Sequence, residues 1–237
     1  MWRKWIIDTM SVAVVVFMSP LLLISKIYNK PEFTQKCIKI MLRPINMFAG
    51  NNYTVINKEY LEESNNYLLV ANHLSGFDLA SLGMICDKPI SFIAQKQLAS
   101  IPLANKWFEL YGTIFIDQNS TKDGFLVLQK AIRILRAGGN VGIFPSGTIS
   151  YDPLGFQPGV IAMAQKTKVK ILPLTIYNTR KVFEDREDNG VVTTVFDFSK
   201  PISYEEYKDM DQEELTKYLE DIIYTKYKEY IKNDKKM

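Results

Sequence analysis

The stretch ANHLSGFD at positions 71–78 holds His73, the only histidine among the chain's 237 residues, and Asp78 follows it five positions later. An imidazole exchanges protons near neutral pH, and a neighbouring carboxylate fixes its tautomer and stabilises its protonated form. Such a pair can take a proton from a hydroxyl. It is the general-base half of a catalytic triad, and it needs no nucleophilic serine when the substrate brings its own alcohol. A plainer reading stands beside this one. Ser75 and Asp78 have the S-x-x-D spacing of a capping box, so the carboxylate could serve only to cap a helix. A lone histidine, taken by itself, is more often structural than catalytic. Cys37 and Cys86 fit no metal-site spacing. They read as buried thiols of a reducing compartment, and no metal site is expected.

The elements that must position the pair are short and alternate. Strands are predicted at TVIN (54–57), YLLVA (67–71), ISFIA (90–94), TIFID (113–117), NVGIFP (140–145), KILPLTIY (170–177) and VVTTVFDF (191–198). Helical stretches fall near 77–86, 97–110, 121–137 and 159–167. Short apolar strands separated by helices predict an α/β fold with a mixed, largely buried sheet flanked by helices. A last helix starts near DQEEL, where Asp211 and Glu214 have capping-box spacing, and its tail KNDKKM is expected to fray. Gly138 and Gly139 read as a helix stop and match no phosphate-binding loop. In this layout His73 lies where a buried strand ends and a helix begins, the edge of an α/β sheet where ligands bind.

Composition narrows the class. Hydrophobic residues make up 47% and charged residues 23%, which excludes a disordered chain and a polytopic membrane protein. The net charge is +3, but Arg3, Lys4, Lys26, Lys30, Lys36, Lys39 and Arg43 concentrate positive charge in the first fifty residues, against Asp8 and Glu32. Residues 9–25, TMSVAVVVFMSPLLLIS, carry no charge. A cleaved signal peptide, a spanning helix and a helix lying in one leaflet all compete for that run. No small-x-small cleavage site precedes Lys26, and positive charge flanks both ends, so no orientation is chosen. The following segment, PEFTQKCIKIMLRPINMFAG, repeats apolar residues at helical spacing beside Lys36, Lys39 and Arg43, a pattern suited to a membrane interface, with packing on the domain's own core as the plainer alternative. Trp2 and Trp5 add indoles suited to the same boundary. Residues 1–49 are therefore expected to form a two-helix membrane-associating segment on a domain spanning 50–237. No basic patch interleaved with aromatics points to nucleic acid.

Four blocks in register then give a resemblance. NHLSGFD (72–78) matches the NHxxxxD motif of the PlsC-type glycerolipid acyltransferases, the 1-acyl-glycerol-3-phosphate acyltransferases. GTIFID (112–117) resembles the family's second block, FPSGT (144–148) its FPEGTRS block, and ILPLTI (171–176) its proline-centred strand. FQPG (156–159) resembles the aromatic and glycine between the last two. The resemblance implies that His73 is the general base on an acceptor hydroxyl and that Asp78 orients it. The hydroxyl would attack the thioester of acyl-CoA or of an acyl carrier protein, with no cofactor. Asn72, Gln118, Ser146, Gly147, Thr148 and Lys96 are the positions implied to meet substrate. The protein would sit on the cytoplasmic side of the cell membrane, peripheral or monotopic, with the bilayer as its partner.

The departures from the family pattern concentrate where it holds phosphate. Gln118 and Ile149 stand where the family has arginine, Ser146 where it has glutamate, Gln157 where it has lysine, and AQKQ (94–97) where it has A-K-K-E. Each lost guanidinium contact to a phosphate is worth about 1.5–3 kcal/mol. Three readings follow. The chain is an acyltransferase whose acceptor lacks a free phosphomonoester, or an ordinary lysophosphatidate acyltransferase using Lys96, Lys122 or Arg180 instead, or an inactive lipid-binding scaffold. The intact His73 and Asp78 argue against the last.

Overall fold

The computed structural model describes residue 9 and residues 12–28, 30–187 and 190–234. In chain order its elements are α1 (Ser19–Tyr28), α2 (Pro31–Ala49), β1 (Asn51–Ile56), α3 (Lys58–Glu63), β2 (Tyr67–Ala71), α4 (Phe77–Ile85) and β3 (Ser91–Gln95). There follow α5 (Ala104–Leu110), β4 (Ile114–Ile116), α6 (Thr121–Arg136), β5 (Val141–Ile143), α7 (Pro158–Thr167), β6 (Lys170–Tyr177), β7 (Val192–Phe198), α8 (Tyr204–Tyr207) and α9 (Gln212–Asp234). The seven strands form one sheet in the order β1-β7-β6-β2-β5-β3-β4. Among the described strand pairs only β6–β7 is antiparallel. The expected mixed α/β sheet flanked by helices is what the chain forms.

The apolar runs explain the layering. Every residue of β2 is buried. Leu68 and Val70 face a core shared with α6, α7 and α9, while Tyr67, Leu69 and Ala71 face a second core against α4. A strand covered on both faces has no polar alternation to show, which is why it reads as one apolar run. The predicted helix at 97–110 is in two pieces, a 3-10 turn at Lys96–Ser100 and then α5. Pro102 is the reason, because the residue before a proline is pushed out of helical geometry, and Ile101 is extended. The short helices α3 and α8 lack the length for a periodic signal. α8 is nucleated by a capping box between Ser203 and Glu206. The expected box at α9 also forms, with Glu214 accepting the Asp211 amide at 3.0 Å and Asp211 accepting that of Glu214 at 2.8 Å. Residues 235–237 of the tail lie outside the described residues, as do Trp2 and Trp5.

The N-terminal segment differs most from its expectation. Residues 12–17 are helical, a turn falls at Met18, and α1 begins at Ser19 with Pro20 in its first turn, where a missing N–H costs nothing. Among the described residues no helix is long and apolar enough to cross a membrane. α2 runs through Pro44 to Ala49 and stops at Gly50, whose left-handed backbone (φ 58°) closes the helix. Much of the face of α2 expected to lie in a membrane interface is turned inward. Cys37, Ile38, Met41 and Ile45 pack with Phe77, Trp107 and Val182. Gln35, buried, donates through Nε2 to the carbonyls of Gly83 (3.0 Å) and Cys86 (2.8 Å), closing the end of α4. The opposite face leaves Lys36, Ile40, Arg43 and Met47 exposed.

Candidate active site

The site begins where β2 runs out. Asn72 spends both ends of its amide on Ile176 of β6, accepting from its N–H at 2.7 Å and donating to its carbonyl at 2.8 Å. This pins the exit of β2 to its neighbour and fixes where His73 leaves the sheet. Asp78, in the first turn of α4, is fully buried. Its Oδ2 accepts from the amides of Leu74 (2.9 Å) and Ser75 (3.1 Å), and stands 2.8 Å from His73 Nδ1. Asp78 does two things at once: it gathers the amides of the turn just ahead of the helix and it holds the imidazole. Three donors on one oxygen offset the cost of burying the carboxylate. An acceptor-only carboxylate takes the Nδ1–H, so Nε2 carries the free lone pair.

The ring is held from two more sides. Phe144 stacks on it with centroids 4.2 Å apart and planes 12° from parallel. The Ser150 amide donates to the His73 carbonyl at 3.0 Å, tying the segment after FPSGT to the histidine. Behind the turn, Glu184 accepts from Ser75 Oγ at 2.6 Å and from the Gly76 amide at 2.9 Å. Ser75 Oγ in turn accepts from the Phe77 amide at 3.0 Å.

His73 opens onto a cavity of about 990 Å³. Its apolar reach is lined by Ile38, Met41, Leu42, Ile45, Trp107 and Phe108, so α2 is one of its walls. Its polar end is lined by Gln95, Gln118, Gly147, Thr148 and Gln157. Among the described lining residues Asp117 is the one carboxylate, and none is a lysine or arginine. Of the positions expected to meet substrate, His73, Gln118, Gly147 and Thr148 are brought together on this wall, while Asn72, Ser146 and Lys96 are not. Asn72 is buried and committed to Ile176, the Ser146 hydroxyl donates to the Thr148 carbonyl at 3.1 Å, and Lys96 sits exposed on the 3-10 turn. The alternative cations are also elsewhere. Arg180 is bound by Asp185 at 2.9 and 3.1 Å and lies 4.5 Å over the Tyr151 ring. Lys122 is exposed and outside the lining. Burial pushes the Cys86 thiol up to about 12 and the Tyr111 phenol well above its ordinary value, so both keep their protons at neutral pH.

Sequence reasoning missed Phe144, Glu184 and Gln35. Phe144 stands in the FPSGT block, but nothing in that block says its ring faces an imidazole. Glu184 lies 109 positions from its partner Ser75, on a loop without periodicity. Gln35 sat in a pattern read as amphipathic; a polar residue in the apolar phase, between Phe33 and Cys37, was the available signal.

The solved PlsC of Thermotoga maritima, a 1-acyl-sn-glycerophosphate acyltransferase, superposes with a TM-score of 0.79 at 23% identity, over 97% of this chain and 93% of that one. That likeness shows the fold. A 1-acyl-sn-glycerol-3-phosphate acyltransferase of Borreliella burgdorferi is 34% identical over 149 residues, 62% of this chain and 58% of its own. One of Saccharomyces cerevisiae is 28% identical over 162 residues, 66% of this chain and 52% of its own. The chain thus spans little more than half the length of these relatives. The family model described as Acyltransferase matches residues 52–177, from β1 to the end of β6, and so takes in the His73 turn, the FPSGT segment and the proline-centred strand. By that match, over more than half its length, the chain belongs to the PlsC-type acyltransferase family.

Proposed function

We propose that this protein moves a fatty acyl group from an acyl thioester to the hydroxyl of a lysolipid, with His73 as general base and Asp78 as its orienting partner. The observation that carries this reading is the His73–Asp78 pair, its carboxylate buried, opening onto a cavity long in apolar side chains. Nε2 takes the acceptor's proton as its oxygen attacks the thioester carbonyl carbon. The tetrahedral oxyanion collapses, the C–S bond breaks, and the leaving thiolate takes the proton back from the imidazolium. The donor is acyl-CoA or an acyl carrier protein, and no cofactor enters. Phe144 stacked on the ring and Asp78 on Nδ1 leave the imidazole one orientation, so its lone pair is aimed before substrate arrives.

The acceptor lacks a free phosphomonoester. This finer reading is supported by the cavity wall, where no lysine or arginine stands among the described lining residues and Asp117 would repel a dianion. Transfer to lysophosphatidate, favoured by the names of the relatives, is the competing reading. It would require Lys96 or Lys122 to reach in from the rim. The protein works at the cytoplasmic face of the cell membrane, held by the apolar side chains that residues 12–28 leave exposed, Phe17 and Ile27 foremost (each 80% exposed). The test is transfer of labelled acyl groups by purified protein in mixed micelles to a panel of lysolipids, with His73→Ala alongside. Transfer that survives in His73→Ala removes the mechanism. Strong preference for lysophosphatidate removes the finer reading. Silence of the folded wild type on every acceptor favours a lipid-binding scaffold.

A further inference from the structure

We propose that the acceptor's head group is uncharged and rich in hydroxyls, a glycosyl or polyol lysolipid, read by the side-chain amides of Gln95, Gln118 and Gln157 around Gly147. This rests on the reading of His73 as the base of an acyl transfer and names the substrate class of that same site.

The three glutamines come from three separate elements. Gln95 is the last residue of β3, Gln118 lies two residues past β4, and Gln157 precedes α7. Parallel strands end together, so their C-terminal residues meet at one edge of the sheet, the edge where His73 also emerges. There the amides interlock. Gln118 Nε2 donates to the Gly147 carbonyl at 2.7 Å, and Gln95 Nε2 donates to Gln118 Oε1 at 3.3 Å. Gly147 is what allows them to converge. Its backbone is left-handed (φ 69°), and a Cβ there would stand 3.3 Å from the amide nitrogens of both Gln118 and Gln157. The Gln157 side chain makes no hydrogen bond among the described residues, and Gln95 Oε1 accepts none. The cluster therefore faces the cavity with spare donors and spare acceptors.

That mixture selects a ligand class. A carboxamide offers two N–H donors and one carbonyl acceptor, and a sugar hydroxyl both gives and takes a hydrogen bond. A phosphate dianion only accepts, so every amide carbonyl turned toward it is a repulsive dipole, and Asp117 is a repulsive charge. A quaternary ammonium would call for aromatic faces at this end; the polar end is amide and hydroxyl instead.

The test compares kcat/KM of the full-length protein in micelles for four acceptors: monoacyl-glucosylglycerol, lysophosphatidate, lysophosphatidylethanolamine and monoacylglycerol. Gln157→Leu is the informative variant, because that side chain holds nothing else in place; Gln118→Leu would also release Gly147. Wild type should favour the glucosyl acceptor by tenfold or more over each of the others. Gln157→Leu should raise KM for the glucosyl acceptor by about tenfold, as loss of a substrate hydrogen bond does, with kcat and thermal midpoint little changed. Preference for lysophosphatidate or lysophosphatidylethanolamine, or a Gln157→Leu enzyme with wild-type KM for the glucosyl lipid, would overturn the assignment. Activity that persists in His73→Ala would instead overturn the transfer mechanism beneath it, so the two failures are told apart.

Discussion

At the scale of single residues, one carboxylate oxygen serves two purposes. Asp78 Oδ2 holds the imidazole and also takes up two amides at the start of α4. Removing it must therefore cost both activity and stability. Asp78→Ala should lower the thermal midpoint by an amount corresponding to about 1–3 kcal/mol, the cost of stranding buried donors. His73→Ala should remove transfer activity by a factor of roughly 10²–10⁴, the usual worth of a general base, with the thermal midpoint close to wild type. A His73→Ala protein that loses as much stability as Asp78→Ala would make the histidine a structural residue. Glu184 is a positioning residue, since it touches the turn and not the ring. Glu184→Ala should lower kcat several-fold with KM nearly constant, and Glu184→Gln, which keeps an acceptor for the Gly76 amide, should recover part of it. Equal kcat in all three proteins would show that the turn holds itself.

At the scale of elements, the chemistry depends on how α2 and α4 are joined. Gln35 closes the carbonyl end of α4 while Asp78 holds the turn that leads into it, so a nine-residue helix with little room for internal hydrogen bonding is fixed on both sides. Gln35→Leu, which strands two buried carbonyls, should destabilise the protein by about 1–3 kcal/mol in urea unfolding and lower activity through a loosened Asp78. An unchanged midpoint would mean that water or another donor replaces the amide. The elements also mark what was legible in the sequence. β6 was read to the residue as KILPLTIY, because a strand buried on both faces is an unbroken apolar run. The His73–Asp78 pair was legible because strand end, helix start and motif coincide within eight residues. The amide cluster was legible only as three of the departures from a pattern, Gln95, Gln118 and Gln157, since nothing local says that the ends of β3 and β4 and the start of α7 converge. The inward turn of α2 was hidden because a basic amphipathic helix has the same periodicity whether its apolar face meets lipid or protein.

At the scale of the whole molecule, residues 1–49 are less separable than their composition suggests. Deleting them takes away a cavity wall as well as the exposed apolar side chains of residues 12–28, and leaves Phe77, Trp107 and Val182 uncovered. The truncated protein should therefore aggregate or lose activity. Membrane attachment is better tested by Phe17→Glu with Ile27→Glu, which touch exposed positions only. The paired variant should stay at the bottom of a flotation gradient with phosphatidylglycerol vesicles while wild type floats, at unchanged activity toward a micellar substrate. Flotation of the variant would move the attachment elsewhere. The order of the sheet carries a further consequence, one of timing. β1 follows directly on α2, yet its only partner in the sheet is β7, and the Asn57 side chain reaches Asp197, 140 positions later. At a synthesis rate of roughly 5–20 residues per second, that is a wait on the order of ten seconds. During that interval the N-terminal helices have been made and the edge strand has nowhere to pair, so the sheet closes last at the strand nearest its own beginning. The making of β7, and not the start of synthesis, sets the moment at which β1, and the cavity wall joined to it, is locked into the sheet.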